Sequence, residues 1–355
     1  MSGKKWLTVF LIIIITGILI SAVSIIIIDP YFHFHAPLSS VAYTYDRTDE
    51  RYVNNGIVKN FDYDAIITGT SHTENFKVSE FNNLFNCNAV KVPLEAAEFK
   101  EISEQMSVAI NHNNNLNMIL YGITYEDLLN DKDAVKYEDY PTYLYDENIY
   151  NDYKYIFSGS TFKRAGKYVI LTLTDYQATN FDDYGFFKKG AECSKEIVLS
   201  AYERPENKIP VKSLNEEERN RVIDNINQNI VDNIESNKDI TFCLFLSPHS
   251  IVWWDEISQN GETLKYLEAE EILINSLLEF DNVKLYSFFN DYDLICNLDN
   301  YKDKVHYSDD VYPQILQWIK NDEYLLTKEN VDEYLTQESQ FYLNYNYDEI
   351  FVGHL

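Results

Sequence analysis

Between residues 57 and 322 short apolar runs alternate with stretches whose apolar positions recur every three or four residues. The runs predict strands over 65–68, 89–92, 118–121, 240–246 and 283–288, and the periodic stretches predict helices over 97–111, 216–234, 264–278 and 312–319. Such alternation implies an α/β layer architecture with a mainly parallel sheet. One helix carries its own start signal. Ser213 followed by Glu216 reads as a capping box, after which Ile223, Ile226, Ile230 and Ile234 share a helical face.

A different pattern opens the chain. Lys4 and Lys5 precede an uncharged apolar run from Trp6 to Ile28, interrupted only by residues such as Thr16, Gly17, Ser21 and Ser24. A helix of about 20 such residues crosses a bilayer core of roughly 30 Å. Positive charge before the run and Asp29 after it place the N-terminus in the cytoplasm and the remainder outside. A cleaved signal peptide is the alternative, but its apolar region is usually about 7–15 residues and a small-x-small cleavage site follows it. The run is therefore read as an uncleaved, single-pass anchor.

The expected organisation is a cytoplasmic 1–5, an anchor 6–28, a juxtamembrane segment 29–56, an α/β domain 57–322 and an acidic, Tyr-rich tail 323–355. Residues 136–211 break the alternation and read as an insertion capping the site. They carry Tyr137, Tyr140, Tyr143, Tyr145, Tyr150, Tyr153 and Tyr155, which would stack on sugar rings or pack an irregular cap. A formal charge of -28 argues against binding nucleic-acid backbone. Cys87, Cys193, Cys243 and Cys296 form no CxxC pair; Cys243 and Cys296 read as core residues, with pairing open outside the cytoplasm.

Gly69-Thr70-Ser71-His72 follows the first strand and precedes a segment that can start a helix. A hydroxyl there stands clear of the sheet beside backbone N–H donors. Asp303-Lys304-Val305-His306 puts a carboxylate three residues before a histidine, ahead of the last helix of the α/β domain. A serine hydroxyl is a poor nucleophile until a base takes its proton, and the base works best with its other nitrogen held by a carboxylate. Ser71, His306 and Asp303 therefore read as nucleophile, base and orienting acid, and Ser247-Pro248-His249-Ser250 follows a further strand end. His72, beside the nucleophile, is assigned a structural or substrate-facing role. His249, Trp253 and Trp254 are the other candidate substrate contacts, the tryptophans as an acyl or sugar platform or as cover for the core. His33 and His35 sit at the membrane interface with no acidic cluster nearby, so no metal site is assigned.

At these residues the chain resembles the SGNH/GDSL hydrolase superfamily, and most of all its membrane-anchored members associated with cell-surface polysaccharide. The resemblance includes Asp29-Pro30-Tyr31-Phe32-His33, Glu50-Arg51-Tyr52, Asn55-Gly56-Ile57, the run from Tyr63 to Ser71, Pro141-Thr142-Tyr143-Leu144-Tyr145 and the block from Asp303 to His306. It implies a flavodoxin-like three-layer α/β/α domain and a Ser71-His306-Asp303 triad. Its second block would supply a glycine N–H to the oxyanion hole, where this chain has Leu94-Glu95-Ala96-Ala97; its third would supply Asn or Asp, where this chain has Gly122-Ile123-Thr124. Ser71, Ala97 and Thr124 are the resulting oxyanion candidates.

The expected function is an extracytoplasmic serine esterase or O-acyltransferase acting on acyl esters of a cell-surface glycan or teichoic-acid-like polymer. The resemblance implies a membrane-bound O-acyltransferase as partner and no metal or organic cofactor. The competing expectation is a catalytically weak relative that binds glycan or scaffolds an acylation complex.

Overall fold

The computed structural model describes residues 3–137, 141–146, 148–174, 176–206 and 208–352, so Tyr140 lies outside the described residues. Six strands form one sheet in the order β2-β1-β3-β4-β5-β6. They are β1 (Ala65–Gly69), β2 (Ala89–Pro93), β3 (Met118–Ile123), β4 (Thr241–Leu246), β5 (Val283–Ser287) and β6 (Leu325–Leu326). The first five are parallel, in the flavodoxin-like order, and β6 is antiparallel to β5. Every residue of β1 and β2 is buried, as expected for a parallel sheet covered on both faces. The architecture is α/β with a mostly parallel sheet between helical layers.

The helices used below are α1 (Gly3–Ile28), α2 (Glu50–Asn60), α3 (Val78–Phe85), α4 (Phe99–His112), α5 (Gly159–Leu173), α6 (Glu216–Ile226), α7 (Ile251–Gln259), α8 (Thr263–Leu277), α9 (Val311–Lys320) and α10 (Val331–Asn344). α2, α4, α6, α8 and α10 belong to one packed series, while α3 packs on α9. All five expected strands and the four expected helices are present, with bounds shifted by a few residues. The start of α6 differs: Asn215, not Ser213, caps it, and Glu218 closes the box. Its buried face then runs from Val222 through Ile226 and Ile230 to Ile234, leaving Ile223 half-buried. The helix continues through a π-helical turn at Asn227–Val231, which carries the expected periodic stretch onward to Ser236.

Two segment boundaries move. The boundary expected at residue 57 falls inside α2, whose Val53, Ile57 and Val58 enter the core, so the juxtamembrane segment is part of the domain. The tail also belongs to the fold. Leu326 pairs with Leu285, and Tyr334 and Tyr342 of α10 are buried against it. All four cysteines are free thiols, with Cys243 buried and Cys296 partly so.

Register places the site. Gly69, Gly122 and Phe245 are neighbours across β1, β3 and β4, so the residues that follow them leave the sheet at one edge. That edge is formed by the carboxyl ends of the strands, where open α/β sheets hold their ligands.

Candidate active site

The chain turns sharply after β1. Gly69 has φ +142°, and a Cβ there would lie 2.8 Å from the Gly122 carbonyl oxygen, so only glycine fits beside β3. Thr70 is extended, and Ser71–Thr73 form a single 3-10 turn closed by the Thr73 N–H on the Thr70 carbonyl. The turn leaves Ser71 partly exposed and its N–H without a bond to another described residue.

The loop before α9 is tied to that turn. Tyr301 and Tyr307 form a bridge across its base, and the Tyr307 hydroxyl donates to the His72 carbonyl at 2.7 Å. The Ser250 N–H and hydroxyl both donate to the Lys304 carbonyl. Asp303 Oδ1 accepts from the N–H groups of Val305 and His306 at 3.1 and 2.9 Å, which fixes the carboxylate beside its own loop. His306 Nδ1 then lies 2.8 Å from Asp303 Oδ1, and Nε2 lies 2.8 Å from Ser71 Oγ. Ser71, His306 and Asp303 stand in one hydrogen-bonded line. Burial pushes the Asp303 carboxyl up, but His306 and the two N–H groups outweigh it and hold the group well below the usual carboxylate range. It therefore stays ionised and keeps the His306 Nδ1 proton, leaving Nε2 to accept from serine.

Three sequence assignments are corrected. The Ala97 N–H donates to the Leu94 carbonyl at 3.1 Å, so it is not free for an oxyanion. Ala96 is the exposed residue of that turn, its N–H makes no backbone bond to another described residue, and its φ of +48° is the conformation glycine favours. Ala96→Gly is expected to stabilise the protein by about 0.5–1 kcal/mol, seen as a raised denaturant midpoint; a lowered midpoint would contradict strain at this residue. Thr124 does reach the site's edge, its Oγ1 2.8 Å from Thr70 Oγ1.

Trp253 and Trp254 are not a platform. Both are buried, Trp253 against Tyr125 and Tyr266 and Trp254 stacked on Tyr342, because α7 turns this face into the core. His72 and His249 are likewise buried rather than substrate-facing. His72 stacks between His306 and His249, with ring centroids 5.0 and 4.9 Å away, and His249 Nε2 lies 2.5 Å from Glu126 Oε2. Burial and the two neighbouring imidazoles push His72 well below the usual histidine value, so it is neutral. Burial opposes ionisation of Glu126, yet its contact with His249 brings its carboxyl down to about 2. His33 and His35 make separate contacts, with Asp152 and with the carbonyls of Ile26 and Ala36.

What covers His306 comes from the insertion, but not from its tyrosines. Phe187 stacks on His306 at 4.1 Å, and Lys188 Nζ lies 3.5 Å from Asp303 Oδ2. Asn75 holds this loop by bonding both the N–H and the carbonyl of Phe187, and Asp309 accepts from the Gly190 N–H. The Arg47 guanidinium lies over the Phe187 ring, 5.0 Å from its centroid, and also lines a cleft of about 220 Å³ with Arg51, Glu95 and Tyr137. Phe187, Lys188 and Glu126 carry no local sequence signal that links them to the triad. The tyrosines pack elsewhere: Tyr155 is buried against Asp29, while Tyr150 and Tyr153 are exposed.

Among solved structures, the chain is similar to one described as a "putative platelet activating factor from Streptococcus pneumonia", with TM-score 0.42 and 10% identity over 78% of this chain and 92% of that one. No family model and no curated protein matches the chain. A likeness this weak assigns no activity.

Proposed function

We propose that this protein is a membrane-anchored SGNH-type serine esterase or O-acyltransferase acting on acyl esters of a cell-surface glycan or teichoic-acid-like polymer. The observation that carries the reading is the unbroken line from Ser71 Oγ through His306 to Asp303. Ser71 Oγ attacks the ester carbonyl as His306 Nε2 takes its proton. The resulting imidazolium is held by the Asp303 carboxylate and passes the proton to the departing alkoxide. An acyl-serine remains. Water or a glycan hydroxyl then attacks, His306 takes its proton, and the return of that proton to Ser71 Oγ releases acid or a new ester. Oxyanion stabilisation falls to the Ser71 N–H, the Ala96 N–H and the Thr124 hydroxyl. A membrane-bound O-acyltransferase is the proposed acyl source when the acceptor is a glycan.

Fluorophosphonate labelling of the full-length protein in detergent tests the reading. Adduct formation on Ser71 that disappears in His306→Ala is the expected result. A folded wild-type protein that takes no label favours the binding or scaffold alternative.

The anchor reading is supported by how α1 joins the domain. Ile25 is buried, the Tyr43 hydroxyl donates to the Ile28 carbonyl, and Asp29 accepts from the N–H groups of His33, Phe34 and His35 and from the Tyr155 hydroxyl. Cleavage after the apolar run would break this junction. α5 packs on α1 and buries Thr161, Arg164, Ala165 and Tyr168 while exposing Phe162, Val169, Ile170 and Leu173 on another face. An exposed apolar face on a helix packed against α1 suits the bilayer interface. In liposomes containing brominated lipid, a fluorophore at Leu173→Cys or Ile170→Cys should be quenched above the wild-type background, and one at Glu217→Cys should not. Equal, weak quenching at all three would place the domain away from the membrane.

A further inference from the structure

We infer that His72, Glu126 and His249 form a binding site for one divalent transition-metal ion of the zinc class, beside the serine triad and independent of it. The three residues leave the carboxyl ends of β1, β3 and β4, so the register that aligns Gly69, Gly122 and Phe245 also brings them together. One potential ligand atom from each lies within 4.8 Å of the others, the one such cluster of three among the described residues. Zinc bonds to imidazole nitrogen and carboxylate oxygen at about 2.0–2.2 Å, which sets tetrahedral donor separations of roughly 3.3–3.6 Å. The 2.5 Å contact between His249 and Glu126 would open by about 1 Å, and a separation at the 4.8 Å bound would close by a similar amount. Both are within reach of side-chain rotation.

The donor set suits the ion. Two imidazoles and a carboxylate are borderline ligands that favour zinc over calcium or magnesium, and three protein ligands leave a fourth position open. Both imidazoles are more than nine-tenths buried, and each has an Nδ1 with no hydrogen-bond partner among the described residues. An unpartnered buried nitrogen is costly, and a metal bond, or the ring flip that accompanies it, gives it a role. Glu126 is the more exposed of the three, so the ion would enter and hold its fourth ligand on that side. His306 stacks on His72 but contributes no ligand to this cluster, so the two sites share no residue.

The test uses the full-length protein in detergent, stripped with a chelator and titrated with Zn²⁺ and, separately, Co²⁺. The expected result is one tightly bound equivalent per chain, with the visible absorption of four-coordinate cobalt. His249→Ala and Glu126→Gln should each weaken binding by about tenfold or more, the order seen when a metal site is perturbed. Glu126→Gln is partly exposed and keeps its volume, so it serves if His249→Ala fails to fold. Absence of a stoichiometric site in the wild-type protein, or one that both variants retain unchanged, overturns the inference. Fluorophosphonate labelling of the stripped protein reports on the triad separately, so failure of either site is recognised without the other.

Discussion

Ser71→Ala is expected to lower ester turnover by about 10⁴- to 10⁶-fold and to abolish fluorophosphonate labelling, with the fold intact. In the proposed mechanism Ser71 Oγ is the group that forms the acyl intermediate, and its removal would leave only binding and oxyanion contacts. His306→Ala should be as severe, because without Nε2 at 2.8 Å the hydroxyl has no acceptor for its proton. The double variant should be little worse than either single one, since both remove the same step. Asp303→Asn is the finer probe. Its amide would favour the wrong imidazole tautomer, and a loss of about 10⁴-fold is expected with little change in the Michaelis constant. Steady-state kinetics with an activated acyl ester read all three. Ser71→Ala with undiminished turnover would sink the acyl-enzyme reading.

Trp254→Ala should cost about 3–5 kcal/mol of stability, the range for deleting a large buried aromatic ring. Its ring has no exposed surface, stacks on Tyr342 at 3.8 Å and 15°, and meets Phe289 and Tyr125 at 5.6 and 5.7 Å. Tyr342 lies on α10, so the cavity would also loosen the C-terminal helix from the sheet domain. The indole N–H has no partner among the described residues, so Trp254→Phe removes an unsatisfied donor along with some ring contact and should change stability by less than about 1.5 kcal/mol. Denaturant unfolding followed by circular dichroism distinguishes the two. A small loss for alanine would show that the ring is not anchoring α10.

Local pattern was enough for the parts of the fold that depend on local physics. The five parallel strands are apolar runs because both their faces are covered, and the helices are periodic because one stripe is. Gly69 and the Asp303 loop were readable for a similar reason: a turn that admits only glycine, and a carboxylate three residues before a histidine, are short-range arrangements. Other elements gave no such signal. β6 has two residues, too few to show a period, and it is antiparallel only because the chain returns from α9. α10 reads as an acidic tail, yet Glu338 is buried beside Glu270, where burial and mutual repulsion raise its carboxyl well above the usual value. The capping residue of α6 shifted because Asn215 lies where the first free N–H groups are, and Ser213 lies before them.

By itself, then, the sequence determined the five parallel strands, the apolar N-terminal helix and the candidate residues Ser71, Asp303 and His306, since each is written in neighbouring positions. Tertiary structure alone decided which of those residues meet. It turned Trp253 and Trp254 into core, took the Ala97 N–H for a turn and left that of Ala96 without a bond to another described residue. It also brought Phe187 onto His306 and set His72 between His306 and His249. Those contacts depend on the register of three strand ends and on loops from distant parts of the chain, and no local pattern encodes a distance between them.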